Sequence, residues 1–461
     1  MYHDSIAITN SDILPVSNSR HRRNQVLLLL SIGAIVFLSR LPFLGAGYGN
    51  DPDAWRAAAV ARSIGRTGEY SASRFPGYPV QEAFYSVIWQ GGPLALNGAT
   101  AFLSSLGALF FSLSMKRLGY RYYILAGLAL AFTPVVYINS TNSMDYIWAL
   151  TFILGSLYFA LAGRQLIAGV FLGIAIGCRI TSGAMLVPLS LLLVRQHAWK
   201  HSARRILVFA LCSCFVGGII FVPVFLKYGW SFFMFWESGY PPILDVVKRA
   251  SIEVWGRIGL FAILVAVVSI ILQMATSRKQ SAVLTSTSKS HTLAWVLAVG
   301  LYLIAYLRLP HESGYLVPVV PFVFLLLGKV LDQRFFIALC ITMLLSPFIS
   351  TSEGSISYGP LLANHLNRVE QMEFTEQVLS IAADLPGKSV VVAGPRLPQI
   401  EGTLPLNHSE AVEYVYELNA TQLESYLKKD FKVYYLPGIR WFVLQRNDVD
   451  LHERGATPLI R

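Results

Sequence analysis

The sequence predicts an all-α polytopic membrane protein with about 11 transmembrane segments and a small C-terminal α/β extracytoplasmic domain. Of the 461 residues, 54% are hydrophobic and only 14% are charged, and the mean hydropathy is +0.53. An ordinary soluble domain has about 25% charged residues. Apolar stretches long enough to cross a hydrocarbon core of ~30 Å recur up to residue 350. These observations exclude a soluble enzyme.

Each predicted span is an apolar run bounded by polar or basic residues. In chain order the runs cover residues 25–44, 94–115, 121–138, 144–162, 166–178, 181–194, 204–225, 256–274, 292–308, 315–330 and 335–349. The fifth and sixth runs are continuous except for an interruption at residues 177–183, which contains Arg179. The fifth and sixth runs together are longer than one transmembrane helix needs to be. The interruption therefore predicts two short helices that meet near the outer side.

The charge distribution predicts the orientation. Residues 1–350 contain 27 Lys and Arg against 12 Asp and Glu, whereas the later residues contain 10 against 14. The basic excess therefore belongs to the membrane part, as the positive-inside rule expects, and does not indicate nucleic-acid binding. Alternating spans place a cytoplasmic tail at 1–24, the membrane domain at 25–350 with outer loops 45–93 and 226–255, and an extracytoplasmic domain at 351–461.

This orientation favours a multi-pass protein of a bacterial inner (plasma) membrane, and leaves the endoplasmic reticulum open. In the C-terminal domain, the hydropathy pattern predicts helices at 369–384 and 420–429 and strands at 389–393 and 431–436. The domain could bind an acceptor or cap the outer face, and the cap is the favoured interpretation.

Two carboxylates follow the first span. Asp51 and Asp53 flank Pro52, and a helix is predicted from Asp53. Such a pair can supply a general base or metal ligands. The structural alternative is equally well founded, because Asp51 suits an N-cap, Pro52 the first helical position and Asp53 the first turn on the helix dipole.

A second acidic position, Asp145, lies in the short outer turn before the fourth span. It could simply begin a helix, but the topology places it on the same face as Asp51 and Asp53. Arg179, in the interrupted apolar run, is costly at depth unless it faces a cavity, an acid or the interface. It could bind a phosphate, pair with an outer acid, or extend its head group to the interface at a helix end.

Further polar residues are predicted on the same side. The cations Arg74, Lys248, Arg249 and Arg308 make an anionic ligand plausible as a group, although each is individually a common surface charge. His311, Glu312 and Tyr315 are clustered between the ninth and tenth spans, where a polar turn would tolerate them without a function.

Three segments together resemble the GT-C superfamily of integral membrane glycosyltransferases, in particular the family of dolichyl-phosphate-mannose protein mannosyltransferases and aminoarabinose lipid A transferases. Residues 53–62 (DAWRAAAVAR) resemble the acidic first-loop motif and its amphipathic helix. Residues 76–79 (PGYP) resemble the turn that leads to the second span, and residues 311–321 (HESGYLVPVVP) resemble the late Y-L-x-P-x-x-P segment. Many relatives have Asp-Glu where this chain has Asp53-Ala54.

The resemblance implies a GT-C-like fold and an inverting transferase of hexosyl or pentosyl groups, which moves a sugar from a polyprenyl-phosphate donor to a hydroxyl of a lipid, glycan or protein. It makes Asp53 the catalytic carboxylate and Asp51 a neighbour that could share the catalytic role. Candidates for binding the donor phosphate or substrate are Arg74, Tyr78, Asp145, Arg179, Lys248, Arg249, Arg308, His311, Glu312 and Tyr315. No cofactor is certain, and a magnesium or manganese ion is left open.

Two other classes of protein remain as alternatives. A secondary transporter or lipid-linked oligosaccharide flippase places its ionisable residues near the midplane and often contains internal repeats. Here the acids lie in outer loops and no repeat is evident, so that only the break at Arg179 favours transport. A non-catalytic scaffold would explain the C-terminal domain but not the acidic face.

Overall fold

The structure is a computed structural model that describes residues 19–194, 199–233, 239–276, 286–352, 355–385, 387–404 and 412–460. Most of the predicted tail 1–24 lies outside these ranges. In the membrane part, the α-helices are α1 Ser19–Arg40, α2 Pro52–Thr67, α3 Pro79–Ile88, α4 Gly92–Arg117, α5 Tyr123–Phe132, α6 Pro134–Asn139, α7 Tyr146–Leu161, α8 Gln165–Cys178, α9 Leu186–Leu191, α10 Trp199–Tyr228, α11 Ile243–Ala250, α12 Ile252–Trp255, α13 Arg257–Thr276, α14 Ser286–Arg308, α15 Val320–Val330 and α16 Gln333–Leu345.

Four helical segments of the described residues are long and apolar enough to cross a membrane: Pro79–Arg117, Trp199–Phe233, Lys289–Arg308 and Ser313–Val330. A fifth would be the pair Ile243–Trp255 and Arg257–Gln273, which is bent by 92°. The other apolar helices are shorter, such as Tyr146–Leu161. The protein is thus mostly helical with several apolar spans, and the count of eleven stays a prediction.

Helix boundaries follow local chemistry. Asp51 is the N-cap of α2 and accepts a hydrogen bond from the Asp53 amide at 2.8 Å, with Pro52 at the first helical position. The structural interpretation of Asp51 is therefore confirmed. The predicted span 121–138 is wrong as one helix, because it divides at Thr133-Pro134 into α5 and α6. Proline has no amide hydrogen and its ring clashes with the preceding turn.

The predicted interruption at 177–183 is confirmed. Helix α8 ends at Cys178, Arg179 has an extended backbone, and a 3-10 helix, Ile180–Met185, leads into α9. A second 3-10 helix, Ser313–Val319, precedes α15 and begins directly after Glu312. These breaks place polar side chains at helix ends, where backbone groups are not all paired within a helix.

The C-terminal part is an α/β unit preceded by a hairpin. It comprises β1 Ile349–Ser352, β2 Ser355–Tyr358, α17 Pro360–Ala383, β3 Ser389–Val392, α18 Leu397–Thr403, β4 Val412–Val415, α19 Ala420–Lys428, β5 Lys432–Tyr435, α20 Ile439–Asn447 and β6 Thr457–Pro458. The strands β1 and β2 pair antiparallel, and a parallel four-stranded sheet has the order β4-β3-β5-β6. The strand β3 is buried along its whole length, as its run of valines indicates.

Candidate active site

The acid-bearing segments meet at the ends of several helices. Asp53 lies in the first turn of α2, Asp145 directly precedes α7, Arg179 directly follows α8, and Glu312 precedes the 3-10 helix Ser313–Val319. Arg74 lies in the loop between α2 and α3 and contacts both Asp53 and Asp145. The structure therefore brings together residues that are far apart in the sequence.

One half of the site consists of acids. The carboxylate oxygens of Asp51, Asp53 and Glu312, which we call the carboxylate triad, lie within 4.8 Å of one another. Burial raises the pKa of Asp51, and the neighbouring Asp53 carboxylate raises it further. Burial, together with the Asp51 carboxylate, raises the pKa of Glu312 to about 8. Three carboxylates this close repel each other when ionised, so that a bound cation or a proton would stabilise them.

The other half is a pair of arginines around one acid. The Arg74 Nη2 atom lies 2.6 Å from Asp145 Oδ1, and Arg179 Nη1 lies 2.5 Å from Asp145 Oδ2. The Asp145 side chain is only 1% exposed. Although it stands at the N-cap position of α7, its side chain makes no capping hydrogen bond. Asp145 thus holds two guanidinium groups side by side, which we call the arginine pair, Arg74 and Arg179. Guanidinium groups bind phosphate oxygens through paired, charge-assisted hydrogen bonds.

Asp53 connects the two halves. Its Oδ1 atom lies 2.8 Å from Arg56 Nη1, and its Oδ2 atom lies 3.2 Å from Arg74 Nε. The side chain of Asp53 is 18% exposed. It is therefore the carboxylate of the triad that is in direct contact with the arginine pair.

Three aromatic side chains border the arginine pair. The Arg74 guanidinium lies 4.3 Å from the Tyr78 ring centroid and donates to the Tyr78 hydroxyl at 2.9 Å. Arg179 lies 4.5 Å from the ring centroid of Tyr146 and 4.8 Å from that of Tyr315. The Tyr146 hydroxyl donates to Glu312. These rings orient the guanidinium groups through cation–π contacts.

The remaining predicted site residues lie differently. Arg249 Nη1 donates to the Pro310 carbonyl at 2.9 Å, next to the half-buried His311. Lys248 and Arg308 are exposed, and within the described ranges no ion pair joins either to the acids above. A role for these side chains in phosphate binding stays a prediction.

Sequence reasoning missed Glu82. Its buried carboxylate accepts hydrogen bonds from the Tyr70 hydroxyl at 2.5 Å and from the amide and hydroxyl of Ser73 at 2.7 Å each. It also accepts from the Tyr78 amide at 3.1 Å. Glu82 thus fixes the turn that carries Arg74 and Tyr78. The sequence contained one signal for this role: Glu82 lies one turn into the helix that follows Pro76–Pro79.

The turn also depends on Gly77, whose φ of +96° is disfavoured for other residues. A Cβ atom there would lie 2.9 Å from the Tyr70 hydroxyl. We expect Gly77→Ala to lower the free energy of unfolding by about 1–2 kcal/mol through backbone strain, and to displace Tyr70 from Glu82. The matched control is Gly68→Ala, since Gly68 has φ +73° but a Cβ atom there would have no neighbour within 4 Å.

Thermal unfolding in detergent and an activity assay of both variants test this expectation. Both should lose stability, Gly77→Ala more than Gly68→Ala, and only Gly77→Ala should impair function. Equal function in the two variants would show that the Tyr70 contact does not matter.

Known proteins resemble this chain in structure and not in sequence. No protein-family profile and no curated protein matches the chain. Twelve chains of solved structures match. One is the oligosaccharyltransferase of Archaeoglobus fulgidus, crystallised with a tethered acceptor peptide that contains the NVT sequon. The match has 11% identity and a TM-score of 0.45, and it covers 86% of this chain and 64% of that chain.

Proposed function

We propose that the protein is a membrane glycosyltransferase, which moves a sugar from a polyprenyl-phosphate donor to an acceptor hydroxyl on the extracytoplasmic face. The observation that carries the proposal is the contact of Asp53 with both halves of the site. A carboxylate that can accept a proton thereby contacts Arg74, which shares Asp145 with a second cation, Arg179, and the two guanidinium groups can receive a phosphate. The resemblance of residues 53–62, 76–79 and 311–321 to GT-C enzymes supports the same reaction.

In the proposed reaction, the acceptor oxygen attacks the anomeric carbon of the sugar as the bond from that carbon to the phosphate oxygen breaks. The proton of the acceptor hydroxyl passes to Asp53. The leaving polyprenyl phosphate carries the bonding electron pair and is stabilised by Arg74 and Arg179. A single displacement of this kind inverts the anomeric configuration. Tyr78 and Tyr315 lie against the arginine pair and would contact the sugar.

The carboxylate triad also fits a divalent cation. Oxygen ligands are those that magnesium and manganese prefer, and the Oδ1 atom of Asn50, the residue before Asp51, is buried without a hydrogen-bond partner among the described residues. Asp51, Asp53 and Glu312 would hold the ion, which would lower the repulsion between the carboxylates and polarise a nearby oxygen.

Metal binding gives a prediction that does not depend on turnover. Asn is as good an N-cap as Asp, so Asp51→Asn should keep the start of α2 while removing a ligand charge. We expect manganese binding, followed by electron paramagnetic resonance, to weaken about tenfold or more. Glu69→Gln, an exposed acid of the same loop, is the control and should leave binding unchanged. Equal affinities of all three proteins would contradict a metal site at the triad.

Reconstitution in sealed vesicles distinguishes transfer from transport. With a panel of labelled polyprenyl-phosphate sugars and crude acceptors, a transferase leaves free polyprenyl phosphate and attaches the label to a new product. A flippase moves the donor across the bilayer with its sugar–phosphate bond intact. Movement without cleavage would overturn the proposal.

A further inference from the structure

The acid-bearing loops are joined by an arginine from the C-terminal part of the chain. Arg368 of α17 donates from Nε to the Ala46 carbonyl at 2.8 Å and from Nη2 to the Gly47 carbonyl at 2.8 Å. Its Nη1 atom donates to the Thr141 carbonyl at 3.0 Å. One guanidinium group therefore binds the loop that leads to Asp51 and the turn that leads to Asp145.

A side chain of the membrane part makes the same connection. The Asn97 amide of α4 donates to the carbonyls of Leu44 and Gly47 at 2.8 and 2.9 Å, and its oxygen accepts from the Ser143 hydroxyl at 2.8 Å. The Ser143 amide donates to the Tyr48 carbonyl at 2.8 Å. We call these contacts between residues 44–48 and 141–143 the loop junction. The Gly47 carbonyl is shared by Arg368 and Asn97.

Arg368 is an unusual residue for this position. It is 2% exposed, and none of the ion pairs among the described residues includes it. Burial lowers its pKa to about 10. A buried charge without a counterion is costly, and here only backbone carbonyls and the Thr141 hydroxyl compensate for that cost.

The rest of the C-terminal part adds contacts to the same loop. Asn50 donates to the Asn364 carbonyl at 3.2 Å, and Arg62 of α2 donates to the Glu401 carbonyl at 3.1 Å. A Cβ atom on Gly402 would lie 2.7 Å from the Trp55 ring, so α18 lies directly against α2. The helix that carries Asp53 is thus contacted by α18, and the segment directly before that helix is contacted by α17.

We propose that Arg368 is a positioning residue for the acids, and that the C-terminal part completes the active site rather than only capping it. Through the loop junction, Arg368 sets the separation between the Asp51–Asp53 segment and Asp145. This inference rests on the proposed function for its catalytic consequence. Its structural consequence, the order of the junction, is independent of any reaction.

The test uses the full chain with Arg368→Gln, Arg368→Lys and the control Arg396→Gln. Arg396 belongs to the same part of the protein and lies 4.3 Å from the Phe374 ring centroid, away from the loop junction. In Arg368→Gln we expect the kcat for sugar transfer to fall about 10-fold to 100-fold, since small misplacements of reacting groups are that costly. Donor affinity should stay within about twofold, because no donor-binding group is removed.

Hydrogen exchange at the Ser143 amide gives a readout without turnover. It should accelerate in Arg368→Gln, less in Arg368→Lys, which keeps the charge without the planar fork, and not in Arg396→Gln. An unchanged kcat or an unchanged Ser143 exchange rate in Arg368→Gln would overturn the inference. If Arg368→Gln does not fold, the kcat and the Ser143 exchange rate of Arg368→Lys test the inference in its place. A parent protein that turns over no donor would contradict the proposed function. The exchange rates would still test whether Arg368 orders the loop junction.

Discussion

Asp53→Asn should abolish most of the sugar transfer while leaving the protein folded. The substitution keeps the shape of the side chain and removes the group that would accept the acceptor's proton, so the kcat should fall about 10²-fold to 10⁴-fold. Asp53 is 18% exposed and its ion pairs with Arg56 and Arg74 are partly solvated. Loss of such pairs typically lowers the free energy of unfolding by about 1 kcal/mol or less.

The control for this prediction is Glu69→Gln, which removes an exposed acid from the loop directly after α2. It should have the parent's kcat and melting temperature. Initial rates at saturating donor, measured on monodisperse protein in detergent, provide the comparison. If Glu69→Gln and Asp53→Asn lose activity equally, the effect is one of loop charge and not of a catalytic group.

Asp145→Asn should have the largest effect on stability. The carboxylate is 1% exposed and is the shared partner of Arg74 and Arg179, so its loss leaves Arg179 without an ion-pair partner among the described residues and leaves Arg74 with Asp53 alone. Breaking a buried ion pair from one side costs about 3–5 kcal/mol. Sugar transfer should also fall sharply, because the arginines that would bind the leaving phosphate lose their orientation.

Thermal unfolding of Asp145→Asn and of Glu424→Gln tests this expectation. Glu424 pairs with Lys428 at 4.0 Å and is 60% exposed, so its loss should change stability by at most about 1 kcal/mol. Similar melting temperatures for the parent and Asp145→Asn would contradict the view that this acid holds the arginine pair.

Local patterns in the sequence predicted several elements well. The helix after Asp51, the break around Arg179, and the strands at 389–393 and 431–436 all have strong local signals: a cap with proline, a charge in an apolar run, and short runs of β-branched or aromatic residues. The meeting of Asp53 and Asp145 was predictable because alternation of the spans places both on one face. Their actual bridge, Arg74, was only one of several candidate cations.

Other features depend on contacts between distant segments and have no local signal. Helix α17 begins at Pro360 and not at 369, because its first turns lie against the membrane part through Arg368 and have no amphipathic stripe of their own. Asn97 in α4 looks like any polar residue in an apolar helix. The strand β6 has only two residues, too few for a recognisable alternation, and β4 contains the charged Glu413 and no fully buried residue.

The most direct measurement compares donor binding with donor turnover in the parent and in Asp53→Asn, using the same panel of polyprenyl-phosphate sugars. We expect both proteins to bind one donor with similar affinity, because the arginine pair is intact in both, and only the parent to release polyprenyl phosphate and form a labelled product. Turnover by folded Asp53→Asn within about threefold of the parent would contradict the catalytic role of Asp53, since loss of a general base costs at least about 10²-fold.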